Sequence, residues 1–412
     1  MSIIISESHR ETGEVEFSGK HPDIFATCLA ARYVNALANV TASFEDIRAF
    51  RADLGVQAST TRDYKPGGRT PTKISIVGQL TVPHQLLAEP SPAFQLLAYD
   101  QVLHLIEAAG YRRYAFGKGS SLSINLDGIT AQSPNLNDTT QDNKFADSCV
   151  VYGHYIAPPH GIDGTFPSLA IAHDIDKSLD KVLQQGEIAE LRPDGKVHVT
   201  VEHTTDGFKI RETYLSVATQ KDAGNDFPQR VIDGILENTG FKELKDAEWK
   251  VNSGGKFDVY FLAADYGMSK AKDGIIITGG LHQLGTDAVW GKCLYKASST
   301  LIPYVFALSR VVCEVTGARY ASVGAFARYG QAEAELRLQE IEPRLEQLRQ
   351  DINAALAKLP LDRDGVREVT GMPVTLESYR LFNEVHGFHS NDRPWKKGNR
   401  ALEDMLKQEL KV

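Results

Sequence analysis

Hydrophobic and polar positions along this chain recur with two periods in turn, near 3.6 residues in some stretches and near 2 in others. Phe25, Cys28, Leu29, Tyr33, Ala36 and Leu37 fall at helical spacing behind His21-Pro22-Asp23, which predicts a helix starting there. A second helix is predicted over Phe94 to Ala109, closed by Gly110, a residue suited to the left-handed position past a helix end. Asp226 to Thr239 opens with a capping residue and a proline, carries Val231, Ile232, Ile235 and Leu236, and stops at Gly240. Leu301 to Val315 reads as a further long apolar helix, ending at Gly317. Ile74-Ser75-Ile76-Val77 reads as a strand, and Lys196 to Glu202 alternates as a half-buried strand should. Ala334, Leu336 and Leu338 alternate with Glu335, Arg337 and Gln339 as another strand, after which Pro343 opens an amphipathic helix bearing Leu345, Leu348, Ile352 and Leu356.

Three helix ends repeat one pattern, Ala109-Gly110-Tyr111, Thr239-Gly240-Phe241 and Thr316-Gly317-Ala318, each followed by strand-like sequence. This fits an α+β protein of three similar sheet-plus-helix portions better than one continuous Rossmann sheet. Neither Gly-x-Gly-x-x-Gly after a strand nor a Walker lysine loop is present, which removes the two commonest nucleotide folds. Ser59 to Pro71, Ser133 to Ala146 and Ala157 to Gly164 read as loops; the polar middle one suits either a lid over a site or a plain surface loop.

Composition narrows the class. The 412 residues hold 45 Lys+Arg against 53 Asp+Glu, a formal charge of −8, with 42% hydrophobic and 24% charged residues. Those values exclude collagen-like, disulfide-scaffold and wholly disordered chains, and the length suggests two or three domains. A mildly acidic chain argues against nucleic acid or an anionic membrane surface as the main partner. Cys28, Cys149, Cys293 and Cys313 show no zinc spacing and read as free core thiols. The start, Met1 to Glu7, lacks a secretory pattern, and no apolar run is expected to approach the ~20 residues of a membrane span. A cytoplasmic protein is the expectation.

Candidate chemistry concentrates in a few segments. His21-Pro22-Asp23 places an imidazole and a carboxylate at a helix start, suited to an anion or its metal or to simple capping. Arg192-Pro193-Asp194-Gly195-Lys196 leads into a strand, and its Asp-Gly also reads as a tight turn with solvated charges. Asp265 to Lys272 and Trp290 to Lys296 bring lysines close to glycines; on a helix Lys292 and Lys296 would project from one face. Paired ammonium groups repel unless an anion lies between them, which points to a polyphosphate, with a solvated helix face as the alternative.

In order along the chain come His21-Pro22-Asp23, Gly78-Gln79-Leu80-Thr81, Gln132-Ser133-Pro134-Asn135, Ala146-Asp147-Ser148, Arg192-Pro193-Asp194-Gly195-Lys196, Asn252 to Phe257, Asp265 with Lys272, and Gly291-Lys292 to Lys296. His386-Gly387-Phe388 and Pro394-Trp395 follow near the end. This ordered set, from about Glu14 to Lys397, resembles the S-adenosylmethionine synthetase (methionine adenosyltransferase) family. The resemblance implies three similar α+β portions, here 11–119, 120–258 and 259–400, around a pseudo-threefold axis, in chains that act as a homodimer or dimer of dimers. It implies an ATP-dependent adenosyltransferase that makes S-adenosylmethionine or a close analogue from ATP and methionine and cleaves the tripolyphosphate, with Mg²⁺ and, as a further candidate, K⁺. The family's monovalent-cation glutamate is not placed, because the stretch around Tyr64 to Arg69 does not align with the family.

Carried over by position, the resemblance makes His21, Lys196, Lys272, Lys292 and Asp147 catalytic. His21, Asp194, Lys196, Lys256, Phe257, Asp265, Lys272, Ala288 and Lys292 would bind ATP, while Gln79, Gln132, Asp265 and Lys296 would bind methionine. Asp23 would hold the metal. The chain departs from the family at Ile24 (lysine), Gln79 (glutamate), Ala271 (arginine) and Ser298 (the second magnesium aspartate). These departures keep two other readings open: a non-catalytic or regulatory nucleotide-binding homologue, and an ATP or tripolyphosphate hydrolase.

Overall fold

A computed structural model describes residues 9–17, 20–41, 51–60, 72–81, 92–110, 122–131, 144–145, 147–285, 289–293, 296–370 and 399–410. Gln132, Ala288, most of the 133–146 stretch and the motifs at 386–388 and 394–395 lie outside them. In chain order the elements are β1 Arg10–Glu16, α1 Pro22–Thr41, β2 Arg51–Thr60, β3 Thr72–Thr81, α2 Pro92–Ala108, β4 Leu122–Ala131 and β5 Cys149–Ile156. There follow α3 Pro167–Gln185, β6 Leu191–Thr204, β7 Gly207–Thr219, α4 Phe227–Asn238, β8 Glu248–Val251, β9 Gly267–Met268 and α5 Asp273–Thr278. The last group is α6 Ala297–Thr316, β10 Tyr320–Ala327, β11 Glu335–Ile341, α7 Arg349–Leu356, α8 Arg363–Thr370 and α9 Arg400–Leu410.

Among the described residues three sheets form, in orders β1-β6-β7-β8, β4-β3-β2-β9 and β11-β10-β5. Helices back each one: α3 the first, with α4 packed on α3; α1 and α2 the second; α6 and α7 the third, with α9 packed on those two helices. The expected α+β class of three sheet-plus-helix portions holds, but sheet membership cuts across the segments 11–119, 120–258 and 259–400. β1 pairs with β6, β4 with β3 and β5 with β10, and β9 reaches back to β2.

The alternation of β6 explains why one face of the first sheet is buried. Val197, Val199 and Val201 are fully buried under α3, whereas Lys196, His198 and Thr200 face outward. On α3, Leu169, Ala172, Ile175, Leu179 and Val182 recur at three- and four-residue steps and meet those valines, each burial worth about 1.5–3 kcal/mol for the larger side chains. Pro167 opens this helix and Gly186 closes it at φ 70, donating to the Val182 carbonyl.

Two of the three recurrent helix ends behave alike, Gly110 at φ 81 and Gly317 at φ 68. The third differs. Thr239 is extended, and the Asp174 carboxylate accepts from the Gly240 N–H at 3.0 Å and from the Thr239 hydroxyl, so a side chain replaces the left-handed glycine cap. The helix expected at Pro343 begins as a 3₁₀ turn over Pro343–Leu348 before α7.

All four cysteines are free and buried. The expectation that no run is long and apolar enough to cross a membrane needs correction: α6 meets that test by length and composition. It is mostly buried, packed on β5 and β10, because the third sheet needs an apolar partner.

Asp273 opens α5 entirely buried, with Oδ2 accepting from the Val289 N–H at 2.8 Å, and burial pushes its carboxyl up to about 6. A folded value above the unfolded one means the fold disfavours the ionised form. Native stability therefore declines as pH rises between about 4 and 6 and stays lower beyond. Asp273→Asn, which keeps an oxygen for Val289, is expected to be about 2 kcal/mol more stable at pH 7, with the gain vanishing below about pH 4. Denaturant midpoints at both pH values check this.

Candidate active site

β1 ends at Glu16 and α1 begins at Pro22, and the His21 N–H donates to the Phe17 carbonyl at 3.0 Å, which holds His21 against the strand end. His21 Nδ1 lies 3.0 Å from Glu16 Oε2, and Glu16 Oε1 lies 2.9 Å from Lys272 Nζ and 3.2 Å from Lys196 Nζ. The Glu16 side chain is 0% exposed. Burial by itself would raise its carboxyl, but His21, Lys272 and Lys196 together bring it down to about 2. It is a fixed anion held between two lysine ammonium groups and the His21 imidazole. Lys272 is pulled down by burial and raised overall by Glu16.

Asp23 Oδ2 is 4.0 Å from His21 Nδ1, while Oδ1 accepts from the Met268 N–H at 2.9 Å. Burial raises this carboxyl, opposed by the Met268 N–H and His21. Glu16, His21 and Asp23 each offer a ligand atom within 4.8 Å of the others, so two buried carboxylates and an imidazole converge. Mg²⁺ prefers oxygen donors and usually binds one or two carboxylates plus substrate phosphates, which this set fits through Glu16 and Asp23. Ser298, at the family's second aspartate position, supplies no carboxylate; its Oγ accepts from Lys292 Nζ at 3.4 Å.

A second charge cluster forms on β2. Residues 289–293 run beside this strand: Leu54 donates to the Gly291 carbonyl and Cys293 to the Ala52 carbonyl, each at 2.8 Å, and Lys292 bridges Asp53. Gly291 sits at φ 77, where a Cβ would come 2.4 Å from the Leu54 carbonyl oxygen, so only glycine lets the two backbones meet. Lys292 and Lys296 are therefore not a helical pair, contrary to the expectation. Lys292 lies in the bridged segment, and Lys296 is the residue before α6. They converge nonetheless, and the anion beside them is the protein's own. Lys296 Nζ is 3.1 Å from Asp53 Oδ2 and 2.9 Å from Asp147 Oδ2, and Lys270 Nζ is 2.5 Å from Asp53 Oδ1. Asp53 is held down to about 2, the lysines outweighing burial. Burial, with Lys270 and Lys296, lowers Lys292 to about 8 against the pull of Asp53 and Asp147.

The segment 265–272 joins the two clusters. Gly267 and Met268 pair with Ala58 and Gln57 of β2, the Met268 N–H reaches Asp23, Lys270 reaches Asp53 and Lys272 reaches Glu16. Asp265, mostly exposed, places Oδ2 4.0 Å from His21 Nε2.

Lys256 and Phe257 line a different place, a cavity of about 580 Å³ on the outward face of the first sheet, with His198, Tyr214 and Asn252 in its wall. Lys256 Nζ donates to the Ala223 carbonyl. The turn reading of Arg192 to Lys196 does not hold: these residues lie in β6, with a register shift between Leu191 and Gly195 absorbing the glycine. Asp194 is not solvated there. Its Oδ2 accepts from the Phe261 N–H at 2.6 Å, and burial pushes the carboxyl up to about 6. Gln79 is exposed on β3, in register with Asp53. Ile24 points into the core, and Ala271 is exposed.

Two residues in these clusters escaped the sequence reading. Glu16 had one signal, the alternation Glu14-Val15-Glu16 ahead of His21; Asp53 had none, because only strand register brings it to the lysines. Lys270 lies within the lysine-bearing stretch Asp265 to Lys272, but the sequence gives it no role of its own.

Comparison with known proteins follows this geometry. Residues 165–257 match the family described as S-adenosylmethionine synthetase, central domain. The chain is 27% identical over 243 residues to S-adenosylmethionine synthase 1 of Rhodopseudomonas palustris, covering 57% of this chain and 62% of that protein. It is 30% identical over 134 residues to an S-adenosylmethionine synthase of Corynebacterium jeikeium, covering 30% of this chain and 33% of that one. These alignments thus span less than two thirds of either relative. An unusual S-adenosylmethionine synthetase from Campylobacter jejuni shares the fold, with TM-score 0.74 at 18% identity over 98% of this chain and 99% of that one.

Proposed function

We propose that this chain, a divergent member of the S-adenosylmethionine synthetase family, transfers the adenosyl group of ATP to the sulfur of methionine or a close analogue. The observation that carries this reading is the convergence of His21, Lys196 and Lys272 on one side and Lys292 and Lys296 on the other, linked by the single segment 265–272. In an acidic chain, five cationic or imidazole side chains from distant sequence positions gather at paired carboxylates, a pattern suited to an anionic ligand with its metal.

The sulfur lone pair would attack C5′ of ATP, forming the S–C5′ bond as the C5′–O bond breaks and tripolyphosphate leaves with the electron pair. A thioether needs no deprotonation, so the demands on the protein are in-line positioning and neutralisation of charge on the leaving group. His21, beside Glu16 through Nδ1, has its Nε2 4.0 Å from the mostly exposed Asp265, and Lys196, Lys272 and Lys292 would supply positive charge to the phosphates. Mg²⁺, held by Glu16 and Asp23, would add divalent charge to the same oxygens. Lys256 and Phe257 would hold the nucleoside in their cavity, and Asp194 would position the 258–265 segment through Phe261. Cleavage of the tripolyphosphate, a K⁺ requirement, a homodimer or dimer of dimers, and a cytoplasmic setting belong to the same proposal.

Incubation with ATP, Mg²⁺, K⁺ and methionine, followed by mass spectrometry, tests it: both adenosyl product and phosphate are expected. Phosphate alone would assign a hydrolase. Tight ATP binding without turnover would assign a non-catalytic homologue, the reading that Ile24, Ala271 and Ser298 favour.

A further inference from the structure

On the transferase reading, negative charge must meet the ammonium of the amino-acid substrate, and the resemblance shares that duty between residue 79 and Asp265, the latter here 60% exposed and turned to His21 Nε2 at 4.0 Å. Gln79 is an amide and carries no charge. A carboxylate stands one strand away. Asp53 and Gln79 are register partners in the antiparallel β2–β3 pair, so their side chains leave the same face side by side. The next neighbour on the far side of Asp53 is Lys292, by its bridge, so Lys292, Asp53 and Gln79 form one row across the strands.

Asp53 already binds ammonium groups. Lys270 Nζ lies 2.5 Å from one of its oxygens and Lys296 Nζ 3.1 Å from the other, and Lys296 turns at the same time to Asp147 at 2.9 Å. The charges alternate in space: Asp147, Lys296, Asp53, Lys270. An α-amino acid carries ammonium and carboxylate on adjacent carbons, and it extends such a row with its ammonium on Asp53 and its carboxylate on Lys296.

We propose that Asp53 is the residue that binds the substrate's α-ammonium, supplying the charge that Gln79 lacks, and that the Lys270 ammonium holds its place until the amino acid arrives. This inference rests on the transferase reading. Lys270 suits a placeholder. Its backbone sits at φ 72, a conformation unfavourable to any residue with a Cβ, so the local backbone gives no reason for lysine. Its side chain is 29% exposed and can swing into water, whereas Lys296, at 7%, stays to meet the carboxylate. Asp53 is held ionised by its lysines, so the acceptor charge is present throughout the neutral range.

The test uses the full chain, with ATP and either methionine or its desamino analogue, 4-(methylthio)butanoate. Asp53→Asn is expected to raise KM for methionine at least tenfold, to leave KM for ATP within twofold, and to abolish the preference for methionine over the analogue. Adding Gln79→Glu to that variant should recover most of the preference. Lys270→Met, which vacates Asp53 without altering it, should lower KM for methionine threefold or more. If Asp53→Asn fails to fold, Lys270→Met decides, and a methionine KM that stays level or rises overturns the inference. Asp53→Asn retaining both KM and preference, in a chain whose wild type is active, overturns the inference alone. A wild type that forms no adenosyl product overturns the transferase reading itself, and the inference goes with it.

Discussion

Lys292→Met is expected to cut turnover by about 10²- to 10³-fold at saturating ATP and methionine, the usual loss when one preorganised donor to developing charge is removed. Lys292 is 2% exposed and pinned by its backbone bridge to Asp53, so its ammonium reaches the site without reorganising. Methionine matches the lysine stem in length and apolar character, and Asp53 keeps Lys270 and Lys296 as partners, so the fold should survive. The pH profile carries a second signature. Burial lowers Lys292 to about 8, so the charged form exists below that value and is lost above it. Wild-type turnover should therefore decline as pH rises through about 8, a limb absent from the residual activity of Lys292→Met. Steady-state rates within threefold of wild type would remove Lys292 from the mechanism.

Glu16→Gln should damage stability and turnover together. The carboxylate sits fully buried among His21, Lys196 and Lys272, and its drop from 4.5 to about 2 corresponds to about 3 kcal/mol of preference for the ionised form. Lys196 and Lys272 reach solvent and can relax, which trims the cost of the amide to about 2–3 kcal/mol. The sign is fixed by linkage. A carboxyl depressed in the fold stabilises above the unfolded value and loses that contribution as pH falls through the folded one. The stability gap between wild type and Glu16→Gln should thus be full at pH 7, begin to close below about 4.5 and vanish near 2. Turnover should fall about 10²-fold, because the amide does not orient His21 as firmly and, on the proposed reading, would offer Mg²⁺ no charged oxygen. Denaturant titrations across that range measure the first effect; a gap independent of pH would show that the charge of Glu16 is not what the fold uses.

The periodic parts of the chain could be read directly. α2, α4 and α6 lie within a few residues of the helices that the apolar spacing predicts, because each buries one continuous stripe whose period is set by the helix itself. β6 and β11 follow from alternation for the same reason. The Lys292–Lys296 pair could be read as residues but not as geometry. Four-residue spacing suggested a helix face, whereas Gly291 lets the backbone close on β2 and brings the lysines to Asp53 by another route. The Asp-Gly turn signal at 194–195 likewise yielded to strand pairing, in which a register shift accommodates the glycine.

By itself the amino-acid order determined the helices and strands, the α+β class and the cations available for an anion, because those depend on local period and residue type. Only the tertiary structure decided which acids those cations meet. Glu16 comes to Lys272, and Asp53 to Lys270 and Lys296, through sheet register and the crossing of the 265–272 segment. Contacts between residues more than 200 positions apart leave no periodic trace in the chain that makes them.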